Sequence, residues 1–196
     1  MRIIVASSNQ SKLKEIKNYL VNYEIVSLKD LSYNEEIIED GTSFYENALI
    51  KAKTIAGLYP NDYIISDDSG LEVEALNGAP GIYSARFAGK GASDQDNLEK
   101  LLADIQDVPD EERTARFQCL MVYMRHAEDP TPLIFQGSWE GRILHSSKGD
   151  NGFGYDPIFF VPEQNCSSAE LPSDVKNQLS HRGQALKKLV ATLNGT

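Results

Sequence analysis

The sequence predicts an α/β fold built on a mixed β-sheet, and three observations carry that expectation. Over the first hundred residues short apolar runs alternate with amphipathic helical segments, the pattern left by crossover connections between strands. Two longer stretches of alternating apolar residues then follow one another across a turn, as in an antiparallel hairpin. The chain has 196 residues, 41% hydrophobic and 24% charged, which is enough to bury a full core without disulfide or metal staples. A single domain over residues 1–196 is therefore expected.

Arg2 to Ser7 reads as a buried strand, because Ile3 to Ala6 are continuously apolar. Ser11 to Tyr23 follows as a helix with Leu13, Ile16 and Leu20 on one face, and Glu24 to Leu28 as a second short strand. Lys29 to Thr42 has no clean period and carries Glu35, Glu36, Glu39 and Asp40, so it reads as a functional loop or a solvated acidic one. Ser43 and Glu46 have capping-box spacing, and Phe44, Ala48, Ala52 and Ile55 continue a helix that Gly57 and Pro60 end.

Tyr63 to Ser66 is a compact strand expected to stop at Asp67-Asp68-Ser69-Gly70, with Leu71 to Leu76 extended again and Asn77 to Gly81 turning. Ser93 caps a helix through Ile105, and Asp107 to Glu112 is a polar connection. Ala115 to Arg125 and Leu133 to Trp139 form the two long strands. A glycine-rich loop, Gly149 to Asp156, leads into Ile158 to Val161, and after a polar loop the chain closes with a helix from Gly183 to Leu193. No internal repeat or linker is visible.

Composition narrows the function. Nineteen Lys and Arg against twenty-nine Asp and Glu give a net charge of −10. Such a chain is a poor binder of duplex nucleic acid or an anionic membrane, both of which need a field of positive charge. A polyanionic ligand must then be held by a local basic pocket or a divalent cation. The apolar run Ile3 to Ala6 is far below a signal peptide or a membrane span, so a cytoplasmic protein is expected. Cys119 and Cys166 lack C-x-x-C spacing, and His126, His145 and His181 are scattered, which suggests reduced thiols and no zinc site.

Four segments could carry chemistry. Ser7-Ser8-Asn9-Gln10-Ser11-Lys12 lies where a strand hands over to a helix, and there backbone N–H groups, hydroxyls and one ammonium suit an anion, although an ordinary N-cap has the same look. Asp67-Asp68-Ser69-Gly70, with Glu39 and Asp40 available from the acidic loop, offers carboxylates for a hard divalent cation and for orienting or deprotonating a water. Its plainer reading is an Asp-rich turn. Gly152-Phe153-Gly154-Tyr155-Asp156-Pro157 lets the backbone bend round a flat ligand with an aromatic face available. Ser180-His181-Arg182-Gly183, preceded by Lys176, gathers donors before the last helix.

Taken together and in this order, these segments closely resemble the inosine/xanthosine triphosphate pyrophosphatases, enzymes that remove noncanonical purine nucleotides, and most of all the bacterial branch. Phe44 to Ala52 and Gly78-Ala79-Pro80-Gly81-Ile82-Tyr83-Ser84-Ala85-Arg86 extend the likeness over nearly the whole chain. The resemblance implies an elongated central mixed sheet flanked by helices, in two lobes with an active-site cleft between them. It also implies a homodimer, a Mg²⁺ requirement, and hydrolysis of ITP, dITP or XTP to the monophosphate and pyrophosphate. By position it makes Ser7, Ser8, Asn9, Gln10, Ser11 and Lys12 the phosphate-binding segment, Asp68 the catalytic base and a metal ligand with Glu39, and Ser69 a substrate contact. Phe153, Gly154, Tyr155, Asp156, Lys176, His181 and Arg182 become the nucleoside-recognition set. Ser8 stands where many members carry glycine, and Asp40 where threonine is commoner.

Donors such as His181 and Arg182 suit the 6-carbonyl of hypoxanthine or xanthine and leave the 6-amino group of adenine facing no acceptor. Two other readings compete: a Maf-like nucleotide pyrophosphatase of different base preference, and a nucleotide-binding module without hydrolysis.

Overall fold

The computed structural model describes residues 1–195. Along the chain run β1 (Arg2–Val5), α1 (Gln10–Tyr19), β2 (Glu24–Ser27), α2 (Phe44–Leu58), β3 (Tyr63–Val73), α3 (Asp94–Asp104), β4 (Thr114–Met124), β5 (Leu133–Ile143), β6 (Phe159–Val161), β7 (Cys166–Ser167), α4 (Ser173–Leu179) and α5 (His181–Asn194). The strands form one mixed sheet in the order β2-β1-β3-β4-β5-β6-β7. β1 pairs in parallel with both β2 and β3, whereas β5 with β6 and β6 with β7 are antiparallel. The α/β class with a mixed, helix-flanked sheet is as the sequence predicts.

The fold divides into two compact units, residues 1–68, 119–137 and 182–195 in the first and residues 69–118 and 138–181 in the second. In the first unit strand alternation sorts the core. Ile3, Val5 and Ile65 pack with Leu13, Ile16 and Leu20 of α1 and with Ala185, Leu186 and Leu189 of α5. Their neighbours Ile4, Ala6 and Ile64 pack instead with Ala48, Ala52, Ile55 and Ala56 of α2. Successive side chains of a strand point to opposite faces, so strands covered on both sides read as unbroken apolar runs.

The second unit has its own core, in which Leu71, Val73, Leu98, Leu101, Phe117, Trp139 and Phe159 meet. Arg113, 2% exposed, closes the far end of α3 by donating to the carbonyls of Ile105, Val108, Ile143 and Leu144.

Six elements differ from expectation, the simplest being β5, which runs past Trp139 to Ile143. β3 does not stop at Ser66 but runs through Asp67-Asp68-Ser69-Gly70 as an eleven-residue strand, because those polar groups find buried partners that replace solvent. α1 ends at Tyr19, where Leu20 turns out of helical geometry while its N–H still donates to Ile16. β7 and α4, of two and seven residues, are too short for periodicity to reveal. α5 begins at His181, so His181 and Arg182 lie in its first turn rather than before it. Among the described residues no helix is long and apolar enough to cross a membrane.

Candidate active site

The alternation that sorts the apolar core also sorts the acids of β3. Ser66 and Asp68 share a face with α2: the Ser66 hydroxyl donates to the carbonyl of Ala48 at 2.6 Å, and Asn47 Nδ2 donates to Asp68 Oδ2 at 3.2 Å. Asp67 points the other way, toward α1 and α5, where its Oδ2 meets Lys12 Nζ at 3.0 Å and Arg182 Nε at 3.3 Å. Arg182 is itself buried and carries a second ion pair, Nη1 to Glu15 Oε2 at 2.6 Å.

Neighbours in sequence therefore have opposite surroundings. Burial alone would raise the Asp67 carboxyl, but the charges of Lys12, Arg182 and Lys51 outweigh it and hold the group well below the usual carboxylate range. Burial pushes the Asp68 carboxyl upward and Glu39 adds like charge, with Lys51, Lys12 and the Asn47 amide pulling back only in part. The Lys51 ammonium, which burial alone would depress, is kept charged by Asp68, Glu39 and Asp67. One oxygen of the pair stays out of the network: Asp67 Oδ1 is buried with no hydrogen-bond partner among the described residues.

The acidic loop is fastened to the same place. Lys51 Nζ lies 2.8 Å from Glu39 Oε2 and 3.6 Å from Asp68 Oδ1, so both predicted metal ligands face one ammonium. Asn47 joins loop and strand, accepting from the Gly41 N–H at 2.9 Å while donating to Asp68. A Cβ at Gly41 would sit 2.6 Å from Glu46 Cβ and 2.7 Å from Asn47 Oδ1, and this is why glycine is needed there. Glu39 and Asp68 are hard oxygen donors that converge, the chemistry Mg²⁺ takes when water completes its shell. Among the described residues no group of three or more His, Cys, Asp or Glu side chains forms a fuller metal cage. Asp40 is exposed.

At the start of α1 Asn9 is the N-cap, its side chain accepting from the Lys12 N–H at 3.0 Å. The Asn9 N–H donates to Ser7 Oγ, and Gln10 Nε2 to the Ser8 carbonyl. Ser8, Asn9, Gln10 and Ser11 are exposed, so the first helical turn opens to solvent with Lys12 beside it. Ser8 is not among the residues with positive φ, so the backbone does not demand glycine at that position.

In the second unit Asp156 organises the glycine-rich loop. Its carboxylate accepts from the Phe153 N–H at 2.8 Å, from Ser168 Oγ at 2.8 Å and from Lys176 Nζ at 2.6 Å. A Cβ at Gly152, where φ is +81°, would lie 2.1 Å from Asp156 Oδ2, so only glycine lets the carboxylate fold back. Lys176, on α4, also stands 4.9 Å from the centroid of the Phe153 ring. Tyr155 is buried, its hydroxyl donating to the Ser84 carbonyl at 2.8 Å. His181 stacks on Phe117 with centroids 4.7 Å apart, and Ser69 lies half-buried in β3.

The geometry thus gathers Lys12 and Arg182 around Asp67, and Glu39 and Asp68 around Lys51, in the first unit, with Lys12 and Lys51 each also acting electrostatically on the other's acid. Phe153, Asp156 and Lys176 form a second cluster in the other. Sequence reading offered Asp67 only as one of two adjacent carboxylates for a cation or a water, looked to Lys51 only for neutralising phosphate charge, and left Asn47 and Glu15 without roles. A signal existed for the last three: Asn47 and Lys51 are polar residues inside the buried stripe of α2, and Glu15 follows Lys12 by three, on the same side of α1.

A model of the Ham1 family matches residues 3–192 of the chain. The chain belongs to the Ham1 family. It is 56% identical over 196 residues to a dITP/XTP pyrophosphatase of Vibrio vulnificus, covering 98% of this chain and 96% of that protein. Two solved Ham1 structures are similar throughout. The HAM1 protein of Coxiella burnetii has a TM-score of 0.91 at 42% identity, with 100% of both chains covered. The Ham1 protein of Staphylococcus aureus has a TM-score of 0.88 at 40% identity, covering 100% of this chain and 99% of its own.

Proposed function

We propose that this Ham1 protein is a cytoplasmic, homodimeric, Mg²⁺-dependent pyrophosphatase that hydrolyses dITP, XTP and ITP to the monophosphate and pyrophosphate. The observation that carries the reading is the division of labour in the β3 acid pair. Asp67 is locked as an anion between Lys12 and Arg182, while Asp68 is left with a raised carboxyl beside Glu39 and Lys51. The names of the relatives supply the substrate class.

Mg²⁺ would be held by Asp68 and Glu39 and would supply neutralising charge to the phosphate oxygens. Lys12 and the amides at the start of α1 take the phosphate chain, the lysine as a point charge and the amides as oriented donors. Asp67 sets the place of the Lys12 ammonium. Asp68 holds a water and accepts its proton as the water oxygen bonds to the α-phosphorus; the bond to the bridging oxygen then breaks and pyrophosphate leaves. Lys51, between Glu39 and Asp68, keeps two adjacent carboxylates from repelling one another.

Ser7 to Lys12 and Ser69 are assigned to the phosphate and sugar end. Phe153 to Asp156, Lys176 and His181 are assigned to the purine, whereas Arg182, which the sequence resemblance also gave to the purine, is buried in its ion pairs with Asp67 and Glu15 and is assigned to holding Asp67. Donors there pair with a 6-carbonyl and leave the 6-amino group of ATP without an acceptor, a mismatch worth about 1–3 kcal/mol.

The test is pyrophosphate release from a panel of ITP, XTP, dITP, GTP and ATP, with Mg²⁺ and with EDTA. Rapid release from the first three, slow release from ATP, and none in EDTA are expected, from a species sedimenting at about twice 21.8 kDa. Nucleotide binding without release, or ATP cleaved as fast as dITP, would contradict the assignment.

A further inference from the structure

We propose that Asp94, on α3 and outside every motif discussed above, is a positioning residue that fixes the Phe153–Asp156 turn for its ligand. The proposal rests on the reading that this turn recognises the purine. Gly152 and Gly154 both take positive φ, +81° and +60°, so the turn is built from the two residues with most conformational freedom to lose. Something outside it must hold it.

Asp156 holds it from within, through the Phe153 N–H and Lys176. The next amide, that of Gly154, donates to Asp94 Oδ2 at 2.8 Å across sixty residues of sequence. Asp94 does not serve α3 as a cap. Ser93 and Asp96 already form a reciprocal capping box, Ser93 Oγ accepting from the Asp96 N–H and Asp96 Oδ2 accepting from the Ser93 N–H.

The mounting is rigid. Asn97 of α3 accepts from the Ala88 N–H at 2.7 Å and donates to the Ala85 carbonyl at 3.2 Å, which ties the helix to the 3-10 segment Gly81–Arg86. That segment supplies the Ser84 carbonyl to the Tyr155 hydroxyl. Two successive residues of the turn, Gly154 and Tyr155, are thus anchored to one frame, and Asp94 is the exposed pin of the two.

The test compares Asp94→Ala, which removes the acceptor, with Asp94→Asn, which removes the charge and keeps an acceptor, and uses Lys176→Ala as the reference for recognition. With dITP and Mg²⁺, Asp94→Ala is expected to raise KM about fivefold with kcat unchanged, and Asp94→Asn to restore KM to within about twofold of the parent. Exchange of the Gly154 amide proton, followed by NMR, should be slow in the parent and in Asp94→Asn and fast in Asp94→Ala, whatever the activity. An unchanged KM in Asp94→Ala while Lys176→Ala raises it would overturn the positioning role alone. An Asp94→Asn variant as impaired as Asp94→Ala would also overturn it, since charge and not the hydrogen bond would be responsible. If neither Lys176→Ala nor Asp94→Ala moves KM, the recognition reading falls, and the proposal with it.

Discussion

Asp67 and Asp68 differ by one bond in sequence and by a half-turn of a strand in space, and that half-turn gives them different chemistry. Asp67 takes two cationic partners and is held ionised; Asp68 takes an amide, a shared ammonium and a nearby carboxylate and is pushed toward neutrality. A carboxyl lowered on folding contributes stability above its unfolded value, and that contribution fades as pH falls below about 3.8 toward the folded value. Asp67→Asn should therefore cost about 3 kcal/mol at pH 7, because Lys12 and Arg182 lose their anion, and the gap to the parent should shrink in acid. Urea midpoints at pH 7 and pH 3 check this, and an equal deficit at both would show that Asp67 is not the anion of the network.

Elements were legible where a pattern ran long enough to repeat. The Ser43 cap and apolar stripe of α2 were plain in the sequence, and so were the strands β4 and β5. Asp-Asp-Ser-Gly reads locally as a turn and is strand only because α1, α2 and α5 supply Lys12, Asn47, Lys51 and Arg182, partners that lie far away in sequence. For the same reason Arg182 could be placed in the site by resemblance while its ion pairs with Asp67 and Glu15 could not be foreseen. Gly41 belongs to this scale, since it lets the acidic loop land on the start of α2. Gly41→Ala should destabilise by about 1–3 kcal/mol and lower activity, because the new Cβ displaces Asn47, which touches both the loop and Asp68. Parent-like melting and turnover in that variant would mean the loop closes without this contact.

At the scale of the whole molecule the net charge of −10 works against a triphosphate, so attraction has to be local. The buried cations do not meet that demand alone, because each is embedded among acids: Lys12 against Asp67, Lys51 between Glu39 and Asp68, Arg182 between Asp67 and Glu15; the proposed Mg²⁺ would have to supply the rest. Each cation is fixed in place before any ligand arrives, and preorganised charge of this kind stabilises a transition state without reorganising in it. In the proposed reaction Asp68, beside Lys51, is the group that takes the proton from water. The direct measurement is turnover of dITP by Asp68→Asn beside calorimetric binding of the same nucleotide. The account predicts that binding persists while kcat falls by roughly 10² to 10⁴; parent-level turnover by that variant would contradict it.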